Sequence, residues 1–247
     1  GRLSVGGAEV SAVVRSGFET IKKKGFRIKS VSGDFLFKPA QVIKNAADYK
    51  GKPDFVLVCA KVLPEINIES LIKPALSAKT SILLIQNGLG LEEKLKNAFP
   101  HNHIIGGAAF ICVFRAAPGI VRHTDYGRLR IGSWPKDDGR SKTLLIRDIF
   151  IKGGVNCEIS DDIVRTRWEK LIWNIPFNPL SAITGADTAV ILGRDSSLNL
   201  VRNIMLEVKS IAEKEGYKID PGLIDKYLAD TLQMRPYKTS MLMDMEN

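Results

Sequence analysis

Two continuous apolar runs, DFVLVCA (54–60) and SILLIQ (81–86), limit what this chain can fold into. A half-exposed antiparallel strand alternates apolar with polar residues. These runs do not alternate, which is the pattern of a parallel strand covered on both faces. A helix is predicted after each, over residues 71–76 and over LEEKLKNAF (91–99), the latter following the turn Asn87-Gly88-Leu89-Gly90. That alternation builds right-handed βαβ units around an open parallel sheet, in which ligands bind outside the carboxyl ends of the strands.

The rest of the first 160 residues extends the pattern. VSAVV (10–14) is a short β-branched strand ending in Arg15-Ser16, a helix over 18–24 is stopped by Gly25, and 26–30 with 35–37 form a hairpin around Ser32-Gly33-Asp34. AQVIKNAADY (40–49) is expected to be helical, 104–114 a buried strand, and 119–121 with 129–131 a hairpin. SKTLLIRDIFIKGG is expected to be a helix and 155–159 a last strand. Gly7 has the place of a helix-ending glycine whose helix begins ahead of Gly1. The expectation is that roughly 15 residues, one strand and a glycine loop, precede this start.

From Arg165 onward the pattern is helical. RTRWEKLIWNIPFNPLSAIT places Lys170, Asn174, Asn178 and Ser181 on one line, with Leu171, Ile172, Trp173, Ile175, Phe177 and Leu180 on the other faces. Asp161-Asp162 stands ahead of it as a cap. A buried lysine and two amides need polar partners, since each unsatisfied amide costs roughly 1–3 kcal/mol. The stripe is either a solvent-facing strip, a set of bridges between helices, or one wall of a small-molecule site. Pro179 cannot donate to the Ile175 carbonyl, so the helix is expected to kink or end there. A long helix over 196–215, stopped by Gly216, and another from Pro221 complete two expected domains, 1–160 and 161–247.

Composition narrows the function classes. No stretch approaches about 18 consecutive apolar residues, so no membrane span is expected, and the start lacks a signal peptide's apolar run. A soluble cytoplasmic protein is the reading. Cys59, Cys112 and Cys157 are odd in number and widely spaced, fitting reduced core thiols. His101, His103 and His123 offer no metal-ligand spacing. The net charge of +9 is spread along the chain without interleaved aromatics, which argues against nucleic acid and suits an anionic cofactor and substrate.

Arg15, Lys61 and Asn87 all follow strands. After the second strand of a dinucleotide fold an acidic residue accepts from the ribose hydroxyls of NAD, whereas an arginine accommodates the 2′-phosphate of NADP. Arg15 therefore indicates NADP (NADPH). No G-x-G-x-x-G turn occurs to cradle a pyrophosphate.

ILLIQNGLGLEEKL, VCAK, PGIVRHTDYGRLRIG and, most specifically, WEKLIWNIPFNPLSAITG resemble the ketopantoate reductases, 6-phosphogluconate-dehydrogenase-like enzymes, over nearly the whole chain. The resemblance implies an α/β, Rossmann-like N-terminal domain, here without its first strand and glycine loop, followed by an all-helical C-terminal domain. It implies NADPH-dependent reduction of 2-dehydropantoate to (R)-pantoate, on the pathway to pantothenate and coenzyme A. Lys170 matches the family's proton donor; Asn174, Asn178 and Ser240 match substrate-binding residues; Lys61 and Asn87 match residues at the nicotinamide and substrate; and Arg15 matches the 2′-phosphate contact. The chain departs from the family in lacking the glycine loop, in stopping at DMEN before a further active-site glutamate, and in carrying Thr188 where some members have an asparagine.

Two other readings stand beside this one. A related dehydrogenase would act on another 2-keto or 3-hydroxy acid, and a non-catalytic binding module would keep the helix without the nucleotide loop. The oligomeric state, monomer or homodimer, is left open by the sequence.

Overall fold

The computed structural model describes residues 1–246 and divides into two compact units, Gly1–Ile163 and Val164–Asn247. The first is a mixed sheet with helices, the second helical throughout.

Unit 1 opens with α1 (Arg2–Val5), closed by Gly6 and by Gly7, whose φ of 94° the following turn requires. Then come β1 (Ala12–Val13), α2 (Phe18–Lys24), β2 (Phe26–Ser30), β3 (Phe35–Phe37) and β4 (Val42–Ile43). β1 and β4 pair in parallel as a small sheet of their own. The expected helix over 40–49 is thus corrected to a two-residue strand and a 3₁₀ turn, Ala46–Asp48, which Asn45 and Asp48 close as a capping box. Val42 and Ile43 are β-branched, and pairing with β1 outweighs a weak helical pattern.

β5 (Phe55–Val58), α3 (Ile68–Ile72), β6 (Ser81–Leu84), α4 (Leu91–Ala98) and β7 (Ile104–Ala117) form the expected βαβ units, with β5, β6 and β7 parallel. The first helix covers 68–72 and not 71–76, and β7 is continuously buried only within its first half, with Ile111, Val113 and Phe114 exposed. The sheet is not purely parallel. β8 (Ile120–Trp134) turns back through Pro118-Gly119 and runs antiparallel to β7, as so short a connection demands. Residues 119–121 and 129–131, expected to pair as a hairpin, lie along β8 and its entry turn, and their partner is β7. α5 (Arg140–Lys152) and β9 (Asn156–Ile159), parallel to β8, finish the unit. The strand order is β3-β2-β8-β7-β6-β5, with β9 also on β8, so β5 lies at one end of the path.

Alternation along the strands sends side chains to both faces. Leu83, Ile105, Ile131, Ile146 and Phe150 pack on the α5 side. Ile82, Leu84 and Ile104 pack with Ile72 of α3 and Leu95 of α4. Cys112 and Cys157 are buried, as core thiols should be. Cys59 is exposed, because it follows β5 into a loop, and it departs from the expectation.

Unit 2 begins within α6 (Ile163–Thr184), followed by α7 (Thr188–Leu192), α8 (Asp195–Lys214), α9 (Leu223–Gln233) and α10 (Ser240–Glu246). Its core joins Ile172 and Phe177 of α6 to Ile191, Val201, Met205, Ile224 and Leu228. α6 continues to Thr184 through Pro176 and Pro179, so of the two outcomes expected at Pro179, a kink or an end, the end does not occur. Burial of its apolar faces outweighs the hydrogen bonds the prolines forfeit. Among the described residues no helix is long and apolar enough to cross a membrane.

Candidate functional site

In unit 1 the parallel register aligns the ends of β5 and β6, pairing Val58 with Leu84. Lys61 and Asn87 each follow three residues later, at the carboxyl end of the sheet where ligands bind in this architecture. Gln86, just before Asn87, is buried and donates from Nε2 to the Ala60 carbonyl at 2.6 Å. That bond ties the two strand ends together, so Asn87 leaves the sheet from a fixed backbone. Gly88 and Gly90 then take φ values of 120° and 73°, which turn the chain into α4.

Arg15 follows β1, whose pairing continues in the Val14 N–H to Ile43 carbonyl bond of 2.8 Å. Arg15 and Ser16 are exposed, and Arg115 near the end of β7 donates from Nη1 to the Ser16 hydroxyl at 2.5 Å. Lys44 and Lys22 lie over the Phe18 ring at 4.9 and 5.7 Å from its centre. This donor set suits an anion such as a phosphate. Among the described residues no glycine-rich turn is present for a pyrophosphate.

Unit 2 carries the polar stripe. Lys170, Asn174 and Asn178 are half-buried along α6, while Trp168, Leu171, Trp173 and Leu180 pack with the core. Trp173 stacks on Phe177 with centroids 4.6 Å apart, and its indole N–H donates to Thr231 Oγ1 on α9 at 2.9 Å. These contacts fix the rotation of α6 about its axis, and so the direction of the stripe. Burial pushes the Lys170 ammonium down to about 8, and the guanidinium of Arg167, one turn earlier, pushes the same way.

Ser181, the fourth member of the stripe, is fully buried and donates to the Ala186 carbonyl at 2.6 Å, closing the turn after α6. Its hydroxyl is engaged in structure. Thr188 likewise accepts from the Tyr237 N–H at 3.1 Å, while its own N–H donates to the Tyr237 carbonyl at 3.1 Å. This pair anchors the segment that leads to Ser240, which is exposed at the start of α10.

Sequence reasoning passed over Gln86, Arg115 and Arg167. A glutamine ending an otherwise apolar run was a signal for the first. The contact of Arg115 with Ser16 spans 99 positions and had none.

The family descriptions "Ketopantoate reductase PanE/ApbA" and "Ketopantoate reductase PanE/ApbA C terminal" match residues 1–136 and 162–247. A 2-dehydropantoate 2-reductase of Nostoc sp. is 31% identical over 249 residues, covering 99% of this chain and 78% of its own. The solved 2-dehydropantoate 2-reductase of Methylococcus capsulatus is 41% identical with a TM-score of 0.88, over 99% of this chain and 79% of its own. That of Geobacter metallireducens is 40% identical with a TM-score of 0.91, over 99% and 81%. The protein described here is an oxidoreductase that belongs to the ketopantoate reductase family.

Proposed function

We propose that this protein catalyses the NADPH-dependent reduction of 2-dehydropantoate to (R)-pantoate, with Lys170 as the proton donor. The observation that carries the reading is the state of Lys170: half-buried, four residues before Asn174 on one face of α6, with its ammonium lowered to about 8. Near neutral pH such a lysine is still charged and is a stronger acid than an ordinary one. It stabilises the negative charge that develops on the keto oxygen and delivers a proton to that atom.

A bound nicotinamide supplies the hydride. Asn174 and Asn178 hold the substrate by their amides, and Ser240 holds its carboxylate. Lys61 and Asn87 take the nicotinamide, Asn87 serves the substrate as well, and Arg15 takes the 2′-phosphate. Names of relatives at 31–41% identity support the substrate. The strand-end cations of unit 1 support the cofactor. A protein acting in this way works in solution in the cytoplasm.

The test is a panel of 2-keto acids offered with NADPH or NADH to the complete protein, followed by loss of nicotinamide absorbance. Highest kcat/KM for 2-dehydropantoate with NADPH supports the reading. A higher value for another acid assigns the fold to that substrate instead, and NADPH binding without turnover of any acid removes the reductase assignment.

A further inference from the structure

Arg115 has no role in the reading above, yet its place is specific. It comes from β7, next to the tip of the long β7–β8 hairpin, and one of its nitrogens is committed to Ser16 Oγ. Between exposed side chains such a bond adds little stability by itself. The hairpin tip is also fitted to the turn: a side chain at Gly17 would strike Pro118 at 2.8 Å, and Gly17 takes a φ of 72°. The turn Arg15-Ser16-Gly17-Phe18 thus carries one arginine of its own, Arg15, and receives the guanidinium of a second, Arg115, from the hairpin. Lys22 and Lys44 stand at the Phe18 ring. Of the acids on the adjoining elements, Glu19 is exposed in the first turn of α2, and Asp48 accepts from the Asn45 N–H at 3.2 Å.

Two guanidinium forks and a hydroxyl form a donor set for a phosphate monoester, because planar forks match phosphate oxygens and share a double negative charge. A ribose hydroxyl carries no charge and gains little from a second arginine. We propose that Arg115 is a further cofactor-specificity residue, sharing the adenosine 2′-phosphate with Arg15 while holding Ser16 toward the same group. This inference rests on the NADPH reading.

The test measures calorimetric affinities of the complete protein for 2′,5′-ADP, which carries the 2′-phosphate, and for 5′-AMP, which lacks it. The wild type should prefer 2′,5′-ADP. Arg115→Ala should weaken 2′,5′-ADP about tenfold or more and leave 5′-AMP within about twofold, as loss of a charge-assisted phosphate contact requires. Arg115→Gln, which keeps a donor for Ser16 without the charge, should lose as much. Wild-type affinity for 2′,5′-ADP in Arg115→Ala, while Arg15→Ala loses it, overturns the role of Arg115 and leaves the NADPH reading intact. Equal weakening of both ligands, or full recovery in Arg115→Gln, reduces Arg115 to a support for Ser16. A wild type that does not distinguish the ligands overturns the NADPH reading and this inference together.

Discussion

Arg167 and Lys170 stand one turn apart on α6, and the buried guanidinium of the first adds to burial in lowering the ammonium of the second to about 8. Two cations at that spacing repel, so the lysine is held where loss of its proton is easiest. A cost to the helix becomes a property of the proposed acid.

The pH dependence follows with a definite sign. The proton donor must carry its proton, so kcat/KM falls as pH rises through about 8. Arg167→Met removes the smaller of the two causes and should move that fall to higher pH, by a fraction of a unit to about one unit. Rate profiles of the two proteins between pH 6 and pH 10, about the range the lysine spans, check this. An unmoved profile separates Arg167 from the titration.

Lys170 also costs stability. Its folded value lies below the unfolded value of 10.5, so the folded state binds the proton less well, and stability rises with pH between about 8 and 10.5. Lys170→Met, which fills the same space without charge, should stabilise the fold by about 1–3 kcal/mol while removing activity. Thermal unfolding near neutral pH measures the gain; an unchanged or lower midpoint contradicts the reading that burial disfavours the Lys170 charge.

Gln86→Leu tests the tie between strand ends. The Ala60 carbonyl loses its 2.6 Å donor, and Asn87 loses the backbone anchor beside it. The expected loss is about 1–2 kcal/mol in stability, from the unpaired carbonyl and the polar position now apolar. KM for the cofactor should rise more than in a variant of equal instability elsewhere in the sheet. Denaturant titration and steady-state kinetics on both variants make the comparison.

The legible parts of the chain were those where local pattern and tertiary packing agree. SILLIQ read as a buried strand because every residue of β6 is buried, and 165–184 read as one helix because its apolar residues recur at helical spacing. The pattern failed at β8, where Tyr126 at a φ of 58° and Gly127 at 134° interrupt the alternation and imitate a turn inside one continuous strand. It failed at β4, whose two residues are too few to show a period. Ser181 shared the stripe of Lys170 but turned out to close the helix end, since spacing assigns a face and not a partner. The Arg115–Ser16 contact depends on where a long hairpin brings its tip, which no local window contains.

The most direct test of the central claim is the rate of NADPH oxidation by the complete protein with 2-dehydropantoate, wild type beside Lys170→Ala, with NADPH affinity measured on both. The account predicts a fall in kcat of about 100-fold or more with NADPH affinity nearly unchanged, the size general acid catalysis supplies. Equal kcat in the two proteins would contradict it and remove Lys170 from the proton transfer.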